Sequence, residues 1–156
     1  MSEARNSKEL ARLACEALEE KKAEDIRVIS IEKISTLADY FLIASGNNRN
    51  QVQAMADNVE ETLGREGIHP RQIEGYQNAN WILMDYGDLV IHVFDQENRL
   101  FYDLERIWRD GQLMERAQLD QYKIILCAKK LPRNLSWQKL RNGFCGSFFF
   151  LFQIHN

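Results

Sequence analysis

A hairpin-like stretch at residues 80–94 constrains the fold of this chain more than any other segment. Apolar runs on both of its sides flank Asp85, Tyr86, Gly87 and Asp88. Apolar runs of four to eight residues bounded by turn residues are typical of strands, and glycine adopts the positive φ of a tight turn without steric cost. The stretch therefore predicts two antiparallel strands joined by an acidic turn.

Helix and strand patterns alternate along most of the first 111 residues. They predict helices over residues 7–22, from residue 49 to Gly64 or Gly67, and over residues 99–109, and strands over residues 26–31, 40–45 and, at a sheet edge, 69–74. The near-continuous apolar run at residues 40–45 is typical of a central strand covered on both faces. With the hairpin added, this order predicts an α/β protein of the α+β type, built on a mixed four- or five-stranded sheet with flanking helices.

The sequence indicates where two of the predicted helices end, and it gives the closing helix an apolar face. Ser7 is the expected N-cap of the first helix, and Gly111 suits the C′ position of the closing helix. The closing helix is expected to bury a stripe against the sheet, formed by Leu100, Phe101, Leu104, Ile107 and Trp108.

Charge is divided unevenly along the chain, whose net charge is −3. Residues 1–111 contain 13 Lys and Arg against 21 Asp and Glu, a net charge of −8, whereas residues 112–156 contain 7 against 2, a net charge of +5. Such a shift often marks a boundary, so we expect one domain over residues 1–111 and an atypical basic, aromatic-ended extension over residues 112–156. The acidic body is repelled by nucleic-acid phosphates, which predicts a basic protein partner and no direct DNA binding.

The cysteines and the apolar runs indicate the compartment. Cys15, Cys127 and Cys145 are far apart, odd in number and without metal-ligand spacing, which is typical of a reducing compartment. The N-terminus has neither a signal-peptide core nor transit-peptide character, and no apolar run reaches the roughly 18 residues that a membrane span needs. We therefore expect a cytoplasmic protein without a membrane span.

Motifs that bind phosphates or metals are scarce in the sequence. There is no Walker-type loop and no GxGxxG motif, and Ser45-Gly46, between a strand and a helix, is a weak signal for anion binding. His69, His92 and His155 are isolated from other ligands, so no metal or cofactor is expected. His92 alternates with apolar residues along its strand, which predicts a buried, hydrogen-bonded histidine.

The carboxylates near the hairpin turn fit two kinds of function. Asp39, Asp85 and Asp88 could bind a metal ion or act in acid–base chemistry. Trp81 and Tyr86 beside them could instead make this region an interface, since Trp and Tyr are enriched at binding hot spots and an acidic rim steers a basic partner. From the residues alone, both alternatives stay open.

Several long stretches together resemble the ribosomal silencing factor family (RsfS, also called Iojap-like). The matching stretches are residues 37–46, 49–57, 74–75, 81–94 and 101–108. They lie in the family's order and spacing and span essentially residues 7–110. The resemblance implies a nucleotidyltransferase-like fold without recognised enzymatic activity. It also implies binding to the large ribosomal subunit through its basic protein numbered fourteen, which sterically blocks joining of the small subunit and silences translation when nutrients are short.

The resemblance assigns a partner-binding site as well. The positions that match the family's signature hairpin, which is similar to the part that meets the ribosomal protein, are Trp81, Asp85, Tyr86, Gly87 and Asp88. We interpret the aromatic groups as anchors and the aspartates as partners for Lys or Arg. Tyr102 and Glu105 are further candidates, because the following helix could lie beside the hairpin.

Two departures from the family pattern qualify this interpretation. Asn50 stands where the family often has Arg, and about 45 residues follow the position at which its members usually end. The extra segment fits either an added ribosome- or membrane-surface contact, through basic residues beside the aromatic run at residues 148–152, or a non-native extension.

Two rival functions and one assembly state stay open. The first rival is a divergent metal-dependent nucleotidyltransferase-like enzyme that uses Asp39, Asp85 or Asp88. The second is a ribosome assembly factor that binds RNA through the basic extension, as related proteins in mitochondria and chloroplasts have roles in assembly. The sequence leaves the oligomeric state undecided, with a homodimer among the alternatives.

Overall fold

The fold is a mixed β-sheet with two long helices on one face and two short helices on the other. A computed structural model of the protein describes residues 6–120. Its helices are α1 (Ser7–Glu20), α2 (Arg49–Arg65), α3 (Gln96–Tyr102) and α4 (Leu104–Ile107). Its strands are β1 (Glu24–Ser30), β2 (Tyr40–Gly46), β3 (Gln72–Glu74), β4 (Trp81–Asp85), β5 (Leu89–Asp95) and β6 (Gln112–Met114). The predicted α+β class with a mixed sheet is confirmed.

The six strands of the described residues lie in the order β3-β4-β5-β2-β1-β6. The pair β2 and β5 is parallel and every other neighbouring pair is antiparallel. All seven residues of β2 are buried, as its apolar run predicts for a strand covered on both faces. Leu42 and Ala44 face the long helices, whereas Phe41 and Ile43 face the short ones.

Each face of the sheet carries its own apolar cluster. The larger one, here called the helix-side core, packs α1 and α2 onto the sheet, and its largest fully buried members are Leu18, Leu42, Met55, Leu63, Ile82, Met84, Leu89, Ile91 and Leu119. The smaller cluster lies under α4, where Leu104 and Trp108 pack on Ile29, Phe41 and Phe94. The hairpin strands contribute alternate side chains to the two faces, which is the expected period of two.

The predicted count of four or five strands is wrong, because β6 adds a sixth. Val28, Ile29 and Ser30 of β1 pair with Met114, Leu113 and Gln112. A strand of three residues is too short to show periodicity in the sequence. It lies beyond Gly111, although the boundary predicted there stays a prediction. The chain divides into the units Met1–Tyr122 and Lys123–Asn156, and most of the predicted extension, with its aromatic run, lies outside the described residues.

The single closing helix predicted over residues 99–109 is also wrong. It is broken at Asp103, whose φ of 11° and ψ of 63° are not helical. Of the predicted buried stripe, only Leu104 and Trp108 pack on the sheet. Three members of that stripe are mostly exposed, namely Leu100 at 85%, Phe101 at 79% and Ile107 at 67%.

Two residues predicted to end helices, Ser7 and Gly111, do not have the predicted roles. Asn6, rather than Ser7, caps α1, because its Oδ1 accepts the N–H of Lys8 at 3.0 Å. Gly111 does not adopt a positive φ. A Cβ there would instead lie 2.6 Å from Cγ2 of Ile29. Glycine therefore allows the chain that leads into β6 to pack closely against β1.

Candidate functional site

The predicted hairpin is present as β4 and β5 joined by a tight turn. The Oδ1 of Asp85 accepts the N–H of Gly87 at 2.8 Å, which closes the turn from its own side chain. Gly87 has a φ of 86°, and a Cβ there would lie 2.8 Å from the guanidinium carbon of Arg71. The positive φ therefore favours glycine at this position, whereas the exposed guanidinium of Arg71 ends a flexible side chain that can move away from a Cβ.

Two acidic residues meet next to this turn, at the amino ends of the parallel strands. The carbonyl of Asp88 accepts the N–H groups of Asp39, at 2.8 Å, and Tyr40, at 3.0 Å. The side chain of Asp88 is exposed and that of Asp39 is half-buried. Within residues 6–120, neither they nor Asp85 form an ion pair. We call Asp39, Asp85 and Asp88 the acidic end.

The opposite end of the hairpin is aromatic. Trp81 is four residues before Asp85 in β4, which is about 13 Å along a strand. Its ring lies 4.9 Å from that of Tyr102, 5.0 Å from that of Phe94 and 5.8 Å from that of His92. The ring of Phe41 joins the group through edge contacts. We call this layer the aromatic face, comprising Phe41, Trp81, His92, Phe94, Tyr102 and Trp108.

His92 fixes the tryptophan in this layer. The Nε1–H of Trp81 donates to Nδ1 of His92 at 3.1 Å, so the imidazole is neutral with its proton on Nε2. Burial, and then the charge of Arg99, lower the pKa of His92 to about 4. The prediction of a buried, hydrogen-bonded histidine is confirmed, since only 6% of His92 is exposed.

The predicted site residues fall into separate groups. Trp81 and Tyr102 are in contact in the aromatic face, whereas the residues of the acidic turn lie at the other end of β4. Tyr86 packs in the helix-side core, where its hydroxyl has no hydrogen-bond partner and burial raises its pKa. Glu105 is paired with Arg99 and lies 3.9 Å from Arg27. The roles of all these residues in binding a partner stay predictions.

Arg99, whose role was not predicted from the sequence, is a buried residue that links α3 to β1 and α4 beside the aromatic face. Only 8% of it is exposed. Its Nη2 donates to the carbonyl of Asp25 at 3.1 Å, to Oδ2 of Asp25 at 3.0 Å and to Oε1 of Glu105. Burial alone would raise the pKa of Asp25, but Arg27 and Arg99 lower it below its ordinary value. Nothing in the sequence distinguishes Arg99 from the exposed arginines, because its burial depends on where α3 is placed.

Other reactive groups of residues 6–120 do not add to a site. Cys15 is buried, and burial raises the pKa of its thiol to about 12. In this part of the chain no group of three or more His, Cys, Asp or Glu side chains is placed to hold a metal ion. None of the helices described is both long and apolar enough to cross a bilayer.

The chain is similar to proteins of one family over most of its length. The family model described as "Ribosomal silencing factor during starvation" matches residues 4–134. Proteins named "Ribosomal silencing factor RsfS" from Bacillus subtilis and Halalkalibacterium halodurans are 42% and 41% identical over 110 residues, which cover 70% of this chain and 93% and 94% of theirs. A crystal structure of a Chromobacterium violaceum protein, 36% identical, superposes with a TM-score of 0.65 over 69% of this chain and 88% of that one. The resemblance found in the hairpin and its flanking motifs is thus confirmed, and the chain belongs to the ribosomal silencing factor (RsfS) family.

Proposed function

We propose that this chain represses translation by binding the large ribosomal subunit and sterically blocking the small subunit from joining it. The observation that carries the proposal is the family match over residues 4–134, together with relatives that are named silencing factors rather than enzymes. Such a mechanism makes and breaks no covalent bond. Affinity and position on the subunit are sufficient, because one occupied face excludes the other subunit.

The two ends of the hairpin support a basic protein partner, for which we propose the large-subunit protein numbered fourteen. The carboxylates of Asp39 and Asp88 form no ion pair within the described residues, so they are available to Lys or Arg of a partner and would speed its association. Asp85 offers only its second oxygen, because Oδ1 accepts the N–H of Gly87. Trp81 and Tyr102 offer broad, already ordered rings at the other end, and such rings dominate binding energies. We also propose that the fold is nucleotidyltransferase-like, as the resemblance to the family implies.

Sedimentation of the full chain with purified ribosomal subunits tests this function. We expect the protein to sediment with large subunits, and subunit joining to fall as its concentration rises. An absence of binding to large subunits would overturn the proposal. Metal-dependent nucleotide binding that is lost in Asp85→Asn would favour the enzymatic rival, and binding without any effect on joining would favour an assembly factor.

Variants at the hairpin test the surface itself. Asp88→Lys reverses an exposed charge while leaving the backbone contact with β2 in place, and Trp81→Ala removes the largest ring. Each should weaken binding by about 2 kcal/mol, or roughly thirtyfold. Glu61→Lys, an equal charge reversal on α2 across the sheet, is the matched control and should bind as the wild type does. If both hairpin variants are folded and bind with wild-type affinity, the hairpin is not the binding surface.

A further inference from the structure

The short helix α3 has an inverted distribution of side chains. It buries the charged residue Arg99 and exposes the neighbouring Leu100 and Phe101. A surface helix of a soluble protein normally places its apolar side chains inward and its charges outward. A contiguous apolar patch in solvent is typical of an interaction surface.

Several contacts fix this helix in place, so its exposed side chains are not those of a frayed end. Oδ1 of Asp95 accepts the N–H of Asn98 at 2.8 Å and caps the first turn. Arg99 binds Asp25 and Glu105, which lie in β1 and α4. A surface that is already ordered loses less conformational entropy when a partner binds.

The exposed side chains continue the aromatic face. The ring of Phe101 contacts the ring of Tyr102 edge-on at 5.0 Å, and Tyr102 lies 4.9 Å from Trp81. An unbroken row of rings therefore leads from the start of the hairpin onto α3. A partner that covers Trp81 would also reach Phe101.

We propose that Leu100 and Phe101 extend the ribosome-binding surface along α3, where a basic protein of the large subunit covers them. This extension rests on the proposed function. Residues 6–120 contain 13 Lys and Arg against 22 Asp and Glu, a net charge of −9, which favours a basic partner. A protein rather than RNA is favoured because aliphatic side chains such as Leu100 are buried by apolar groups of a partner, whereas phosphates attract cations.

The test compares a double variant with a matched control. Leu100→Ala/Phe101→Ala removes the exposed side chains of α3. Leu113→Ala removes a side chain that is also exposed, at 53%, but lies in β6 at the far edge of the sheet from β4. Binding of the full-length wild type and both variants to purified large ribosomal subunits is measured by sedimentation, and folding is monitored by thermal unfolding.

We expect the double variant to bind at least tenfold more weakly and to melt like the wild type, with Leu113→Ala unchanged. Wild-type affinity in the double variant overturns the extension while leaving the proposed function intact, whereas failure of the wild type itself to bind overturns the proposed function first. Equal weakening of binding to protein-free large-subunit RNA also overturns the assignment to a protein. The extension is also overturned if the wild type forms a dimer and the double variant is a monomer that still binds the large subunit. The surface would then join two copies of this chain.

Discussion

At the scale of single residues, the pair of Trp81 and His92 makes the fold sensitive to acid. The imidazole must stay neutral to accept the indole N–H, and its pKa in the folded protein is about 4, against about 6.5 in an unfolded chain. Between these values the unfolded state binds the additional proton. The free energy of unfolding should therefore decrease as the pH falls from about 6.5 to about 4, by up to roughly 3 kcal/mol from this residue.

Urea unfolding at pH 7.5 and pH 4.5 measures this effect. In His92→Asn the side-chain oxygen can still accept from Trp81 but cannot titrate, so we expect a smaller difference between the two pH values than in the wild type. His69→Asn removes an exposed imidazole and should keep the wild-type difference. An equal pH dependence in His92→Asn and the wild type would contradict the assignment.

The same residues show what a sequence reveals at this scale. The alternation along β5 predicted that His92 is buried, because a period of two assigns each residue to a face. It did not reveal the partner, since Trp81 meets His92 only through the pairing of β4 with β5. Nor did it show that Tyr86 points into the helix-side core, because at a turn residue the alternation of the strand no longer applies.

At the scale of elements, α1 and α2 were predicted within two residues at each end, whereas α3 and α4 were not. In the two long helices, the apolar residues that share a face by their spacing are the residues that pack on the sheet. In the closing segment an equally regular spacing belongs to side chains that remain in solvent, and the turn at Asp103 redirects the chain. Periodicity shows that residues share a face, but what covers this face depends on tertiary packing or on a partner.

The Arg99 contacts should determine the stability of this element. Arg99→Met would leave Asp25 and Glu105 without their buried partner, and we expect a loss of about 2 kcal/mol in the free energy of unfolding, below the range for fully buried pairs because both carboxylates are partly exposed. Arg65→Met breaks the exposed pair with Glu61 and should change stability by less than about 0.5 kcal/mol. Denaturant titration compares the two, and equal effects would contradict a structural role for Arg99.

At the scale of the whole molecule, the order of the strands in the sheet differs from their order along the chain and depends on how the elements pack. The sequence predicted the strands over residues 26–31 and 40–45 and the hairpin, but not the parallel pairing of β2 with β5 across α2, β3 and β4. The last strand was missed for a related reason. Its three residues become a strand only because the edge of β1 offers unpaired backbone groups.

From this last strand we predict that the folded unit needs residues beyond Gly111 for its full stability. Arg116 lies 3.8 Å from Glu16 and 3.3 Å from Glu19 of α1, and Leu119 is buried in the helix-side core. A chain that ends at Gly111 loses these contacts together with β6. Compared with a chain that ends at Tyr122, its free energy of unfolding should be lower by about 3 kcal/mol or more, since truncating one buried leucine alone typically costs 2–5 kcal/mol.

Urea unfolding of the two truncated chains and of the full chain measures this difference. The chain that ends at Tyr122 should unfold at a higher urea concentration than the chain that ends at Gly111, because the contacts of β6 with β1 and of Leu119 with the core stay intact. Leu119→Ala in the full chain isolates the contribution of the buried side chain. Equal midpoints for the two truncated chains would mean that β6 and the segment after it add no stability, and the acidic body would then end at Gly111, where the charge of the sequence changes sign.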